Sequence, residues 1–314
     1  MKGIITSLGM IVFAGAVVAG GTGAFFSDTE TSTGNLFTAG AIDLKVDSVG
    51  HVNGLVCFNG SWTDEDIIEW IPESGETPGH LAQKAETSIE EANAAYNTAN
   101  PANVPKAGDK CGSTWALTDL GAQTFFNFTD VKPGDEGENT ISLHIDNNDA
   151  WMCADVNITK NDDVSSTEPE MQAGDATNTA SITDGELAQN LTFFAWADDG
   201  DNIWEVNEPK LFTNTSGPAS DVLGGKTYAI ADSSTGFGPI AALQTKYIGL
   251  AWCAGTIVPS VPGNVTCNGA TMGNNAQTDT MEASITFRVE QARNNGEFRC
   301  NARVVETPND VTPE

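Results

Sequence analysis

Along several parts of the chain apolar and polar residues alternate with a period of two, the pattern of a strand with one buried face. Ile42, Leu44 and Val46 alternate with Asp43, Lys45 and Asp47; Ile141, Leu143 and Ile145 alternate with Ser142, His144 and Asp146. The longest case sets Met281, Ala283, Ile285, Phe287 and Val289 against Glu282, Ser284, Thr286, Arg288 and Glu290. Shorter apolar pieces at residues 55–58, 124–128, 152–159, 191–196, 226–231, 247–253 and 298–305 predict further strands. One stretch breaks the pattern. Residues 80–99 are rich in Ala, Glu and Gln, lack proline and predict a single helix, with Pro72 and Pro101 beyond its ends. We read residues 61–110 as a surface insertion that carries this helix. Lys132-Pro133-Gly134-Asp135 predicts a turn in which proline presets the backbone. Many short strands separated by Gly, Pro and Asn turns predict an all-β, jelly-roll-like β-sandwich with a small helical insertion, one domain over residues 36–305 followed by a polar tail at 306–314.

The N-terminus has a different texture. Met1-Lys2, an apolar run to Val18 and a small-residue exit at Gly20 to Ala24 form a signal peptide over residues 1–24, with cleavage between Ala24 and Phe25. A retained anchor is the alternative, but the apolar run is shorter than the roughly 20 residues a spanning helix needs. The expected location is therefore secreted, extracellular or on the cell surface, with no membrane contact after cleavage. A formal net charge of −29 opposes binding to nucleic acid and to anionic lipid, and favours divalent cations.

Cys57, Cys111, Cys153, Cys253, Cys267 and Cys300 in an exported chain suggest three disulfides, with fifteen connectivities open. By position, Cys57–Cys111 closes the insertion, Cys253–Cys267 closes a loop, and Cys153 and Cys300 are left for each other. Candidate chemistry is sparse. Neither His51, His80 nor His144 opens an HExxH, and no GxSxG is present, so catalysis has little support. The acidic run 198–208 clusters hard oxygen ligands around a glycine and suits Ca2+, with Asp199, Asp201, Glu205 and Glu208 as the ligands. Its spacing is not that of an EF-hand. Trp151, Trp196 and Trp252 lie beside strands and are read as core.

Residues 26–32 (Phe-Ser-Asp-Thr-Glu-Thr-Ser), Gly34-Asn35, and Phe37-Thr38-Ala39-Gly40 before Ile42-Asp43-Leu44 resemble the N-terminus of the TasA–camelysin family. The Lys132–Asp135 turn followed by a strand and Asn147-Asn148 is similar to a second element of that family. The resemblance implies processing by a SipW-type signal peptidase and a jelly-roll subunit of extracellular filaments in a biofilm matrix. It also implies a homopolymer built head to tail, in which an N-terminal donor strand completes the sheet of the next copy. The donor here would be Phe25, Phe26, Ser27, Asp28, Thr29, Glu30 and Thr31, within residues 25–35. Two aromatics to fill an apolar slot and a β-prone polar stretch suit that role. The camelysin branch implies a secreted metallopeptidase as the alternative; a monomeric Ca2+-dependent adhesive or sugar-binding module is a third.

Overall fold

The computed structural model describes residues 43–71, 79–121, 123–175, 181–212, 216–235, 238–261 and 263–300. The expected signal peptide, its expected cleavage point and the candidate donor strand at 25–35 lie outside them, as does the expected polar tail. The strands are β1 (Leu44–Val52), β2 (Leu55–Phe58), β3 (Ser61–Asp64), β4 (Ile68–Ile71), β5 (His80–Gln83), β6 (Trp115–Thr118), β7 (Glu136–Ile145), β8 (Ala150–Asp162), β9 (Leu191–Asp198), β10 (Gly217–Pro218), β11 (Lys226–Ala231), β12 (Gln244–Ala254), β13 (Thr256–Val261), β14 (Asn264–Asn268) and β15 (Thr280–Gln291). Four short helices join them: α1 (Ile89–Ala99), α2 (Glu168–Ala173), α3 (Leu187–Asn190) and α4 (Ala219–Val222).

The result is an all-β sandwich. An eight-stranded sheet runs in the order β10-β9-β12-β7-β1-β2-β3, with β6 also pairing β1, and a three-stranded sheet runs β11-β8-β15. Every pairing is antiparallel, so one face of each strand can pack while the other meets solvent or a covering loop. Between the sheets, Val46, Ile141, Leu143 and Ile145 meet Met152 and Ala231, with Ile285 and Phe287 against them. Farther along, Val52, Leu55, Trp62, Phe193 and Trp252 pack with Val156. The alternation read at residues 141–145 is thus the inward row of β7, at most 1 % exposed.

A second, smaller core lies on the outer face of the large sheet. There Phe194, Trp196, Trp204, Ala251, Cys253 and Ile257 pack together, covered by the β13–β14 hairpin and the loop after β9. This is why residues 191–196 read as an apolar run broken only by Thr192: both faces of β9 are buried. Gly249 of β12 stands opposite Trp196, and a Cβ there would fall 2.1 Å from the indole ring. The ring is held in place by Nε1, which donates to Asp198 Oδ1 at 2.9 Å. Gly249→Ala is therefore expected to cost about 1–3 kcal/mol through overpacking, read as a lower urea midpoint. An unchanged midpoint would mean that Trp196 moves aside freely.

The insertion differs from the single helix expected over 80–99. His80–Gln83 forms β5 and pairs with β4, and the helix begins only at Ile89. Ser88 fixes that start: its side chain accepts the Glu91 N–H at 3.3 Å, which satisfies an otherwise orphaned helix donor. The aromatic piece 124–128 is not a strand. Its rings fill the gap between the sheets, Phe125 lying 5.0 Å from Trp115 and Phe128 lying 5.2 Å from Trp252. Residues 298–300, the described part of the last expected strand, are also irregular. Lys132–Asp135 is a tight turn, with Asp135 N–H donating to Lys132 O at 2.9 Å and Gly134 at φ 93°. The disulfides join Cys57 to Cys111, Cys153 to Cys300 and Cys253 to Cys267.

Candidate functional site

Three places in the sandwich bear on function: the acidic loop after β9, the histidines of the outer face, and the lateral edge of β15. The loop gathers Asp198, Asp199 and Asp201 into one group that could hold a metal ion. Glu205 and Glu208, the other expected ligands, do not join it. Both Glu208 oxygens are engaged by the loop backbone, Oε1 accepting Asp199 N–H at 2.9 Å and Oε2 accepting Glu205 N–H at 2.8 Å. Asp198 Oδ2 accepts the N–H groups of Gly200 and Asn202, at 2.9 and 3.2 Å. Burial pushes Glu208 up to about 6, against the pull of its backbone donors. The acidic run therefore folds largely on itself: its side chains satisfy the backbone amides of an irregular loop, as short acidic side chains do in turns.

Each described histidine sits on the large sheet or the insertion. His144 is held from both sides of its ring, Nε2 at 3.1 Å from Asp47 and Nδ1 at 3.0 Å from Thr245. His51 lies opposite Glu138 in the β1–β7 register and places Nδ1 3.4 Å from Glu65 Oε2. His80 belongs to β5. Among the described residues, the groups that could hold a metal ion consist of carboxylates alone. That donor set fits a hard cation and not zinc, which takes nitrogen and sulfur ligands.

β15 presents the third feature. It pairs β8 along its whole length on one side, and among the described residues it has no strand neighbour on the other. Its inward row of Met281, Ile285, Phe287 and Val289 is only half-buried. A twelve-residue strand without proline that leaves its apolar row partly uncovered is a template for another strand.

An acidic cluster where β8 and β15 end together escaped sequence reasoning. Asp163, Glu170 and Asp279 come within reach of one ion. They are distant in the chain, so no local motif announces them. The one available signal was the density of acid in residues 162–186, which looks ordinary in so acidic a sequence.

Comparison with known proteins bears on the N-terminus. The family model described as camelysin metallo-endopeptidase matches residues 2–55, which take in most of the expected signal peptide, the segment after it, β1 and the start of β2. No curated protein matches the chain. Over residues 2–55, then, the chain carries the N-terminal signature of the TasA–camelysin family.

Proposed function

We propose that this chain is a secreted structural subunit of extracellular filaments, and that residues 25–35 of one copy add a strand to the outer edge of β15 in the next. The open edge of β15 is the observation that carries this reading. A donor strand there satisfies the backbone groups that β15 leaves unpaired among the described residues, and its side chains cover Met281, Ile285, Phe287 and Val289. Because donor and acceptor are different segments of the chain, such a contact between copies is heterologous, the kind that propagates wherever it does not close into a ring. The match over residues 2–55 supports export and a place in this family, and three disulfides fit an oxidising compartment. Among the described residues, no helix is long and apolar enough to cross a membrane.

Negative-stain electron microscopy tests the proposal. Protein beginning at Phe25 is expected to form filaments, and protein lacking residues 25–35 is expected to remain as single subunits with the same circular dichroism. Filaments that persist after the deletion would refute the donor role. The family description favours a second reading, a secreted metallopeptidase. Stoichiometric zinc in the purified protein together with chelator-sensitive cleavage of casein would establish that reading instead. A monomer at every Ca2+ concentration that binds glycans would favour the adhesive module.

A further inference from the structure

We infer that the junction between β8, α2 and β15 is a Ca2+ site whose ligands are Asp163, Glu170 and Asp279, with Asp175, Asp184 and Glu186 forming its wall. The inference is independent of the filament reading. It begins with the register: Asp162 pairs with Thr280, which sets Asp163 beside Asp279 where the two strands end together. Glu170 enters from α2, which follows β8 directly. Carboxylate oxygens of Asp163, Glu170 and Asp279 all lie within 4.8 Å of one another. Oxygens bound to one Ca2+ at about 2.3–2.6 Å stand no farther apart than about twice that distance.

Proximity of acids alone says little in this chain. What singles out the junction is that several of its oxygens are buried and lack donors. Asp163 is 2 % exposed, Glu170 is fully buried, and Asp163 Oδ1 has no hydrogen-bond partner. The same holds for Asp279 Oδ1, Glu186 Oε2, Asp175 Oδ2 and both oxygens of Asp184. Those oxygens that do find donors show how the cradle is built. Asp279 Oδ2 accepts the N–H groups of Glu186 and Leu187 at 2.6 and 3.0 Å, and Glu170 accepts from Thr167 N–H and from the Thr278 hydroxyl. Asn161 clamps the wall by bonding the Gly185 carbonyl and the Ala188 N–H. Among the described residues no Lys, Arg or His pairs with any of these six carboxylates; Lys160, the nearest in the chain, pairs with Asp162 at 3.2 Å. Six carboxylates facing one another without a counter-charge repel, and buried charges are otherwise paired or bound to metal. An all-carboxylate set favours Ca2+ over a softer metal.

The test uses the chain from Phe25 onward, stripped with EGTA and titrated with CaCl2 by calorimetry and thermal unfolding. Ca2+ is expected to bind at this junction and to raise the melting temperature. Asp163→Asn and Glu170→Gln are each expected to weaken binding by ~10–100-fold, as loss of metal-site groups does, and to abolish most of the thermal shift. Asp199→Asn with Asp201→Asn is expected to leave both unchanged, which separates this junction from the loop after β9. Neutralising a carboxylate relieves repulsion in the metal-free protein, so the variants should fold without Ca2+. Glu186→Gln supplies a further variant should either be poorly expressed. The inference fails if wild-type protein shows no binding at millimolar Ca2+, if binding survives in the junction variants, or if only the Asp199/Asp201 variant loses it.

Discussion

Replacing Cys153 and Cys300 with alanine is expected to cost about 5 kcal/mol, the largest loss of any disulfide removal in this protein. In the chain-entropy account the loss grows with the logarithm of the loop that the bond closes. Sequence separations of 147, 54 and 14 give about 5, 4 and 3 kcal/mol for Cys153–Cys300, Cys57–Cys111 and Cys253–Cys267 respectively. Alanine is the better substitute because Cys153 is wholly buried and a serine hydroxyl would need a partner there. The folded state should survive the change. Residues 295–300 stay attached by hydrogen bonds: Trp151 Nε1 donates to Asn295 O at 2.7 Å, Ser233 N–H to Phe298 O at 2.9 Å, and Cys300 N–H to Asp232 Oδ2 at 3.0 Å. Burial would raise Asp232, but hydrogen bonds from Ser234, Thr235 and Cys300 outweigh it and hold the carboxyl below its ordinary value. The loss therefore falls mainly on the unfolded chain, which gains freedom. Guanidinium unfolding of the three double-alanine variants should reproduce the order 153–300, then 57–111, then 253–267. A larger loss from the 253–267 pair would contradict it, and would instead make the hairpin over the outer core the limiting element.

How much of this could be read from the sequence depends on how far apart the cooperating residues lie. Strands with one covered face announced themselves: residues 141–145 and 281–289 alternate because β7 and β15 each turn one row inward. β9 was visible for the opposite reason, as a run buried on both faces. The β13–β14 hairpin was not, since Pro259 interrupts β13 and the ladder shifts register there. Residues 124–128 misled because aromatic side chains favour strands and also favour any crowded gap; here three phenylalanines fill a crossing between the sheets. The helix start was legible in Ser88-Ile89-Glu90-Glu91, a capping signature. Composition over 80–99 hid it by suggesting helix everywhere. Of the acidic sites, the contiguous run at 198–208 was conspicuous and turned out to bind much of its own backbone. The junction of Asp163, Glu170 and Asp279 exists only because β8 and β15 pair, so no window of the sequence contains it.

Glu138→Gln is expected to stabilise the protein at pH 8, by about 3 kcal/mol, and to have no such effect at pH 4. Glu138 points from the outer face of β7, opposite His51, and is roofed by the loop after β9, where Asn202 Nδ2 donates to its Oε2 at 2.9 Å. Burial pushes its carboxyl from 4.5 up to about 7; Glu65 and Glu136 push the same way, while His51 and the Asn202 bond pull it down. The folded protein thus holds this proton more tightly than the unfolded chain does. Stability linked to Glu138 is full below the unfolded value, falls as pH rises from about 4.5, and is lost once pH passes about 7. Glutamine keeps an oxygen for Asn202 and removes the charge, so its advantage should appear over that interval and level off above it. Urea unfolding of wild type and variant at pH 4, 6 and 8 reads the difference directly. An equal gap between their midpoints at all three values would show that glutamine acts through packing, and that the charge of Glu138 is not what the covered outer face opposes.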